Sequence, residues 1–242
     1  MLQTAYNQDL SIHVSHSGLV FIQEEHDLPL DQRYQIVSLG DNCLPAFYLK
    51  KYALRDRSYP WDWIQSNIKM VIHMLTDNFV KFLDPDISEM FYSNAFLDAK
   101  SIFNHHDLHK VAHLEYYQRC VDRFRSLATC SPESPIIFVM SINQEPSLQS
   151  SEIICWEDLH TIVSTLIERY KINLHCLLII VFQQVPRPDI HRLLTEPPPS
   201  ELPYLNRVHL HHMPNARPVG AMMVPEYELE FRDLILQYLQ HA

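Results

Sequence analysis

Hydrophobic residues fall along this chain in two rhythms. Apolar runs of strand length occupy 34–39, 136–142, 174–182 and 208–211. The second and third are rich in Ile, Leu, Val and Phe and hardly alternate, which is what strands buried on both faces require. Between the runs, apolar positions recur at helical spacing. The stretch 67–82 carries Ile68, Val71, Ile72, Leu75, Phe79 and Phe82, and 109–127 carries Val111, Leu114, Val121, Phe124 and Leu127. The stretch 156–170 places Leu159, Ile162, Val163, Leu166 and Ile167 on one face. A last amphipathic helix is predicted over 226–239, with Pro225 suited to its first turn. Near the start, β-prone runs at 11–14 and 19–22 flank Ser15-His16-Ser17-Gly18, the pattern of a hairpin turned at Gly18.

Strands alternating with helices predict an α/β fold: a mostly parallel central sheet flanked by helices, with an N-terminal hairpin. Nothing marks an internal break, so 1–242 reads as a single domain, and no internal repeat is present. The proline-rich stretch 186–203, with Pro197-Pro198-Pro199, reads as a surface loop because proline cannot extend a central strand. In parallel folds ligands collect beyond the carboxyl ends of the strands. That rule directs attention to the turn after the 34–39 run and to whatever follows 208–211.

That turn is Ser38-Leu39-Gly40-Asp41-Asn42-Cys43, with Pro45 suited to the first turn of the helix it opens. Only three glycines occur in the chain, and glycine is needed where φ is positive or backbones approach closely. A cysteine at the mouth of a helix meets unpaired N–H groups and the positive end of the dipole, which favour a thiolate. The bland alternative is a small buried residue packing a strand–helix joint. Cys120, Cys130, Cys155 and Cys176 lie in or beside predicted elements and read as structural. Five cysteines with no Cys-x-x-Cys pair indicate free thiols in a reducing, cytoplasmic-type compartment.

A thiol nucleophile needs a base from elsewhere in the chain. Two histidine clusters compete. One is His105-His106-Asp107, just ahead of a long helix that Asp107 is suited to cap; the other is His209, His211 and His212 at a strand end. Alternation puts His209 and His211 on one face, a spacing open to metal ligation, but no Cys or carboxylate stands beside them at zinc-site spacing. No metal and no cofactor is therefore expected. The third feature, Tyr59-Pro60-Trp61-Asp62-Trp63, either plugs a loop into the core with Asp62 bonding loop amides, or presents Asp62 to orient a histidine.

Net charge is −10, with lysines and arginines scattered, so neither nucleic acid nor an anionic membrane is an expected partner. The longest strongly apolar run, 176–182, is far short of the ~20 residues that span a bilayer. The N-terminus lacks the basic and apolar regions of a secretory signal, so the chain reads as soluble, with no classical export route encoded at its start.

In order and spacing these pieces resemble a bacterial family of unknown function labelled "putative papain-like cysteine peptidase". The resembling elements are Ser38-Leu39-Gly40 with Cys43, then Leu49-Lys50-Lys51, Leu54-Arg55 and Ser58, then Pro60-Trp61-Asp62-Trp63. They continue with His106-Asp107, Tyr117 with Arg119, Arg123-Phe124, and Phe138-Val139, spanning about 34–182. Trp61 stands where the family more often has phenylalanine. The resemblance implies a nucleophile at Cys43, a catalytic histidine at His106, and an acid from Asp107 or Asp62. A protein or peptide substrate follows from the label, as does the option of an effector secreted without a classical signal. The papain fold has a largely antiparallel second half, so the architecture is taken from the parallel strand pattern.

Three readings stand side by side. A cysteine hydrolase or acyl-transfer enzyme would use Cys43, His106 and an acid, with Gly40, Asp41 and Asn42 at the substrate and oxyanion position. An esterase of the SGNH type shares the strand-Gly-Asp opening, but Asn42 occupies the place of its serine and no Asp-x-x-His lies near the C-terminus. A protein-interaction module would use the acidic surface and the proline-rich stretch, with Cys43 merely structural.

Overall fold

The computed structural model describes residues 11–14, 20–23, 34–40, 43–55, 57–103, 105–130, 134, 136–142, 153–182, 186–213 and 225–240. Strands β1 (Ser11–Val14) and β2 (Val20–Gln23) pair antiparallel as a separate two-stranded sheet. The turn assigned to Gly18 lies outside the described residues. The central sheet holds β3 (Gln35–Ser38), β4 (Ile136–Ile142), β5 (Leu174–Val181) and β6 (Val208–His212), in that spatial order and parallel throughout. Every residue of β4 is buried, and in β5 only His175 is partly exposed. Their unbroken apolar runs carry the cost of having both faces covered.

The two faces are covered by different helices. On one, α1 (Leu44–Lys51) and α7 (Pro225–Gln240) bring Leu44, Tyr48, Phe231 and Ile235 onto Ile36, Ile137, Val139, Leu178 and Ile180. On the other, α2 (Ile68–Thr76), α4 (Val111–Ser126) and α5 (Trp156–Ser164) bury Val71, Leu75, Val121, Phe124, Leu159 and Val163 against Val37, Phe138, Met140, Leu177 and Ile179. Helices α3 (Ser88–Phe96) and α6 (Pro188–Thr195) complete that layer. Consecutive strands are neighbours, and α5 and α6, the helices of the last two connections, lie on the second face. The first helix after β3 departs to one face and the first after β4 to the other. Helices on opposite faces after neighbouring parallel strands are the arrangement that marks a ligand crevice at the carboxyl edge of a sheet.

The stretch 67–82 is not one helix. Asn67 caps α2 by accepting from the Met70 amide at 2.8 Å, but the helix stops at Thr76. The Asp77 carboxylate takes the amides of Phe79 at 2.9 Å and Lys81 at 3.1 Å, and Asn78 and Phe79 turn left-handed. Phe79 and Phe82 still reach the core, so their spacing followed burial rather than helix. The 186–203 stretch is a loop only in part. Pro188 opens α6, where a missing N–H costs nothing, and Ile190 and Leu193 are buried.

Seven non-glycine residues among those described have positive φ, between 49° and 68°, so scarce glycine does not forbid left-handed turns. Gly40 is different: φ is 87°, and a Cβ would overlap the Ser66 hydroxyl and sit 3.1 Å from the Trp61 carbonyl oxygen. Gly40→Ala is expected to lower stability by roughly 2–4 kcal/mol, from strained backbone plus overpacking. Urea unfolding of the variant within a few tenths of wild type would refute the close fit.

Candidate active site

The β3–α1 turn is pinned by short bonds. The Gly40 amide donates to Ser38 Oγ at 3.2 Å, the Ser66 hydroxyl donates to the Leu39 carbonyl at 3.2 Å, and the Ser141 amide reaches the Gly40 carbonyl at 3.4 Å. Cys43 follows as the residue that starts α1. Its carbonyl accepts the Phe47 amide at 2.9 Å, and its half-buried side chain caps nothing. Asp41 and Asn42, assigned to the substrate side of this turn, lie outside the described residues. Burial pushes the Cys43 thiol above its ordinary value, and a hydrogen bond from its own backbone offsets only part of that. The sequence favoured a thiolate here. In the folded chain desolvation outweighs the mouth of a helix only eight residues long. All five cysteines are free, and Cys120 and Cys176 are buried.

Tyr59-Pro60-Trp61-Asp62-Trp63 is the middle piece. Trp61 is fully buried between Phe79 and Phe124, with ring centroids 5.3 Å away in each case, and its backbone walls in Gly40. Asp62 is also fully buried. One carboxylate oxygen takes the Arg55 guanidinium and, at 2.8 Å, the Tyr59 amide, while the other is buried without a partner among the described residues. Arg55 in turn donates to the Ala46 carbonyl at 3.1 Å, in the first turn of α1. Of the two roles the sequence allowed for Asp62, bonding the loop is the one its atoms perform. Burial pushes the carboxyl up to about 6, against the pull of Arg55 and the Tyr59 amide.

The histidine segment adjoins the same loop. The Gln65 amide donates to the Ile102 carbonyl at 3.0 Å, and His106 lies four residues further on. His106 Nδ1 is 2.9 Å from the Tyr117 hydroxyl, and the ring stacks on Tyr116 at 5.3 Å and 28°. Burial, then the charges of His113 and His105, hold the imidazole below its ordinary value. Neither acid proposed as its partner bonds it. Asp107 is exposed and turns the chain, accepting the His109 amide at 3.0 Å while its own amide donates to His113 Nδ1 at 2.9 Å. Nor does Asp107 cap α4, whose N-cap is Lys110 with no side-chain bond. The orienting group is a buried phenol, Tyr117, which the helical rhythm of α4 could only present as one more core position.

The competing cluster sits elsewhere. Two strands separate β6 from β3, roughly 14 Å at the usual strand spacing. His211 Nε2 is 2.7 Å from the Tyr238 hydroxyl, and the His209 ring packs 4.9 Å from the same tyrosine on α7. Among the described residues no group of three or more His, Cys, Asp or Glu side chains is placed to hold a metal ion. None of the described helices is long and apolar enough to cross a membrane.

The raised Asp62 carboxyl fixes a sign. Its folded value lies above the ordinary 3.8, so the stability it adds is full below about pH 4 and is lost as pH rises through about 6. Relative to Asp62→Asn, wild type should lose on the order of 3 kcal/mol across that window. Parallel urea midpoints for the two proteins at pH 4 and pH 7 would overturn this assignment.

No curated protein and no solved structure gave a match. One family did, described as "Putative papain-like cysteine peptidase (DUF1796)", over residues 34–184. The match takes in β3, the buried Asp62 loop, the His106 segment, β4 and β5, more than half of the sequence, and the chain belongs to that family.

Proposed function

We propose that this chain is a cysteine-dependent hydrolase of peptide or protein substrates, with Cys43 as nucleophile and His106 as its base. One observation carries the reading. The Cys43 turn, the Asp62 loop and the His106 segment are joined in series beyond β3, through Gly40 packed on Trp61 and Ser66, and through Gln65 bonded to Ile102. Family membership supports the reaction class. Among the described residues no hydrogen bond joins Cys43 to a histidine, so the reactive approach belongs to the substrate complex, as catalytic hydrogen bonds often do.

The electrostatics favour a neutral pair over a thiolate–imidazolium pair. Burial raises the thiol and lowers the imidazole, and Tyr117 is a neutral phenol, unable to stabilise imidazolium as a carboxylate would. In the reacting tautomer His106 Nδ1–H donates to the Tyr117 oxygen, leaving Nε2 free. Cys43 Sγ then bonds to the substrate carbonyl carbon as Nε2 takes its proton. The tetrahedral oxyanion is assigned to backbone amides at the mouth of α1. Collapse expels the amine, which carries away the proton from His106, and water cleaves the thioester by the same route.

Cys43→Ala should abolish turnover of fluorogenic peptides, and His106→Ala should lower kcat/KM by about 10²–10⁴-fold. Iodoacetamide should modify Cys43 well ahead of buried Cys120 and Cys176; equal labelling of all five would count against the assignment. The acid limb of kcat/KM should fall below the ordinary imidazole value of 6.5, because His106 binds its proton only at lower pH. Hydrolysis unchanged in Cys43→Ala would sink the proposal.

A further inference from the structure

Beside His106 the surface opens into a pocket of ≈ 310 Å³. That volume is at the lower end for small-molecule sites, and it accommodates one long side chain. Its walls come from Pro85, Phe103 and Leu108, and the charges in its lining are the carboxylates of Glu89 and Asp107, with no lysine or arginine among the lining residues. Phe103 and Leu108 are almost wholly buried, so they hold the pocket's shape.

Glu89 is fixed in place by its own bonds. Its Oε1 accepts the Ile102 amide at 3.2 Å and the Ser93 hydroxyl at 3.3 Å. The Ile102 bond ties it to the strip of chain that leads to His106, and it leaves Oε2 free of any hydrogen bond to the described residues. Two histidines, His106 and His109, also line the pocket, and burial holds the His106 imidazole below its ordinary value, so it favours the neutral form beside the acids. An apolar-walled recess with two carboxylates and no competing cation matches a side chain with a hydrocarbon stem and a cationic head.

We infer that this pocket selects a lysine or arginine side chain of the substrate and seats it next to the reacting imidazole, Glu89 being the main charge partner and Asp107 the second at the rim. The inference rests on the reading of His106 as the catalytic base, and it adds the substrate class.

Binding tests it independently of cleavage. In Cys43→Ala protein, His106 ring proton shifts can be followed by NMR during titration with acetyl-Ala-Lys-Ala-amide and with the norleucine analogue of equal length. The lysine peptide should bind about tenfold more tightly, and Glu89→Gln, which keeps the acceptor for the Ile102 amide, should remove most of that difference. Glu89→Lys should transfer the preference to a glutamate peptide. Norleucine binding as well as lysine, or a lysine preference unchanged in Glu89→Gln, overturns the pocket assignment. Selective lysine binding to a protein that shows no Cys43-dependent cleavage supports the pocket and overturns the hydrolase reading instead.

Discussion

Asp62 has no exposed surface, yet its carboxylate must be accommodated inside the fold. Arg55 and the Tyr59 amide meet one oxygen, and the other has no partner among the described residues. A buried carboxylate satisfied on one side only is costly, and that cost makes the arrangement selective. The loop is competent only when Arg55 reaches it, and Arg55 is simultaneously held by the Ala46 carbonyl of α1. Arg123 on α4 adds a bond to the Ser58 carbonyl at 3.0 Å. One buried charge thus sets the spacing of α1, α4 and the Trp61 loop, and with it the seat into which Gly40 is pressed.

The same burial shapes the chemistry. Around Cys43 and His106 it works against charge, raising the thiol and lowering the imidazole. Tyr117 suits this regime, since a phenol fixes the ring without prepaying for its protonation. Burial holds the Tyr117 phenol far above its ordinary value, so it stays neutral beside the imidazole.

A second buried carboxylate secures the opposite face. Glu228 of α7 accepts from the hydroxyls of Tyr48 at 3.0 Å and Tyr52 at 3.1 Å and from Lys51, all at the α1 end of the chain. Burial alone would raise its carboxyl; those donors together hold it below its ordinary value. Helix α1 is therefore clamped from two sides, by Arg55 near its start and Glu228 near its end. The resulting four-stranded, all-parallel sheet is unlike the antiparallel half of papain, so the family label does not carry a papain architecture.

Much of this was legible in the residues. The double-sided apolar runs specify β4 and β5, because nothing else lets Ile, Leu and Val follow one another without a polar break. Gly40 announced its turn, since φ of 87° beside a closed wall admits no Cβ. The Trp61-Asp62-Trp63 plug was open to reading in part: Trp61 enters the core as expected, while Trp63 stays partly exposed. Helix α3 escaped because its apolar residues lack a stripe, and α6 because proline-rich composition hid a legal helix start. What the sequence could not supply was distance. Whether His106 answers to Asp107, Asp62 or Tyr117 depends on which groups the packing of α4 brings within hydrogen-bond reach. Whether Cys43 is acidic or not depends on how much water the fold removes from it. Periodicity records which face is buried; only the assembled core decides what each buried group meets there, and desolvation follows from that meeting.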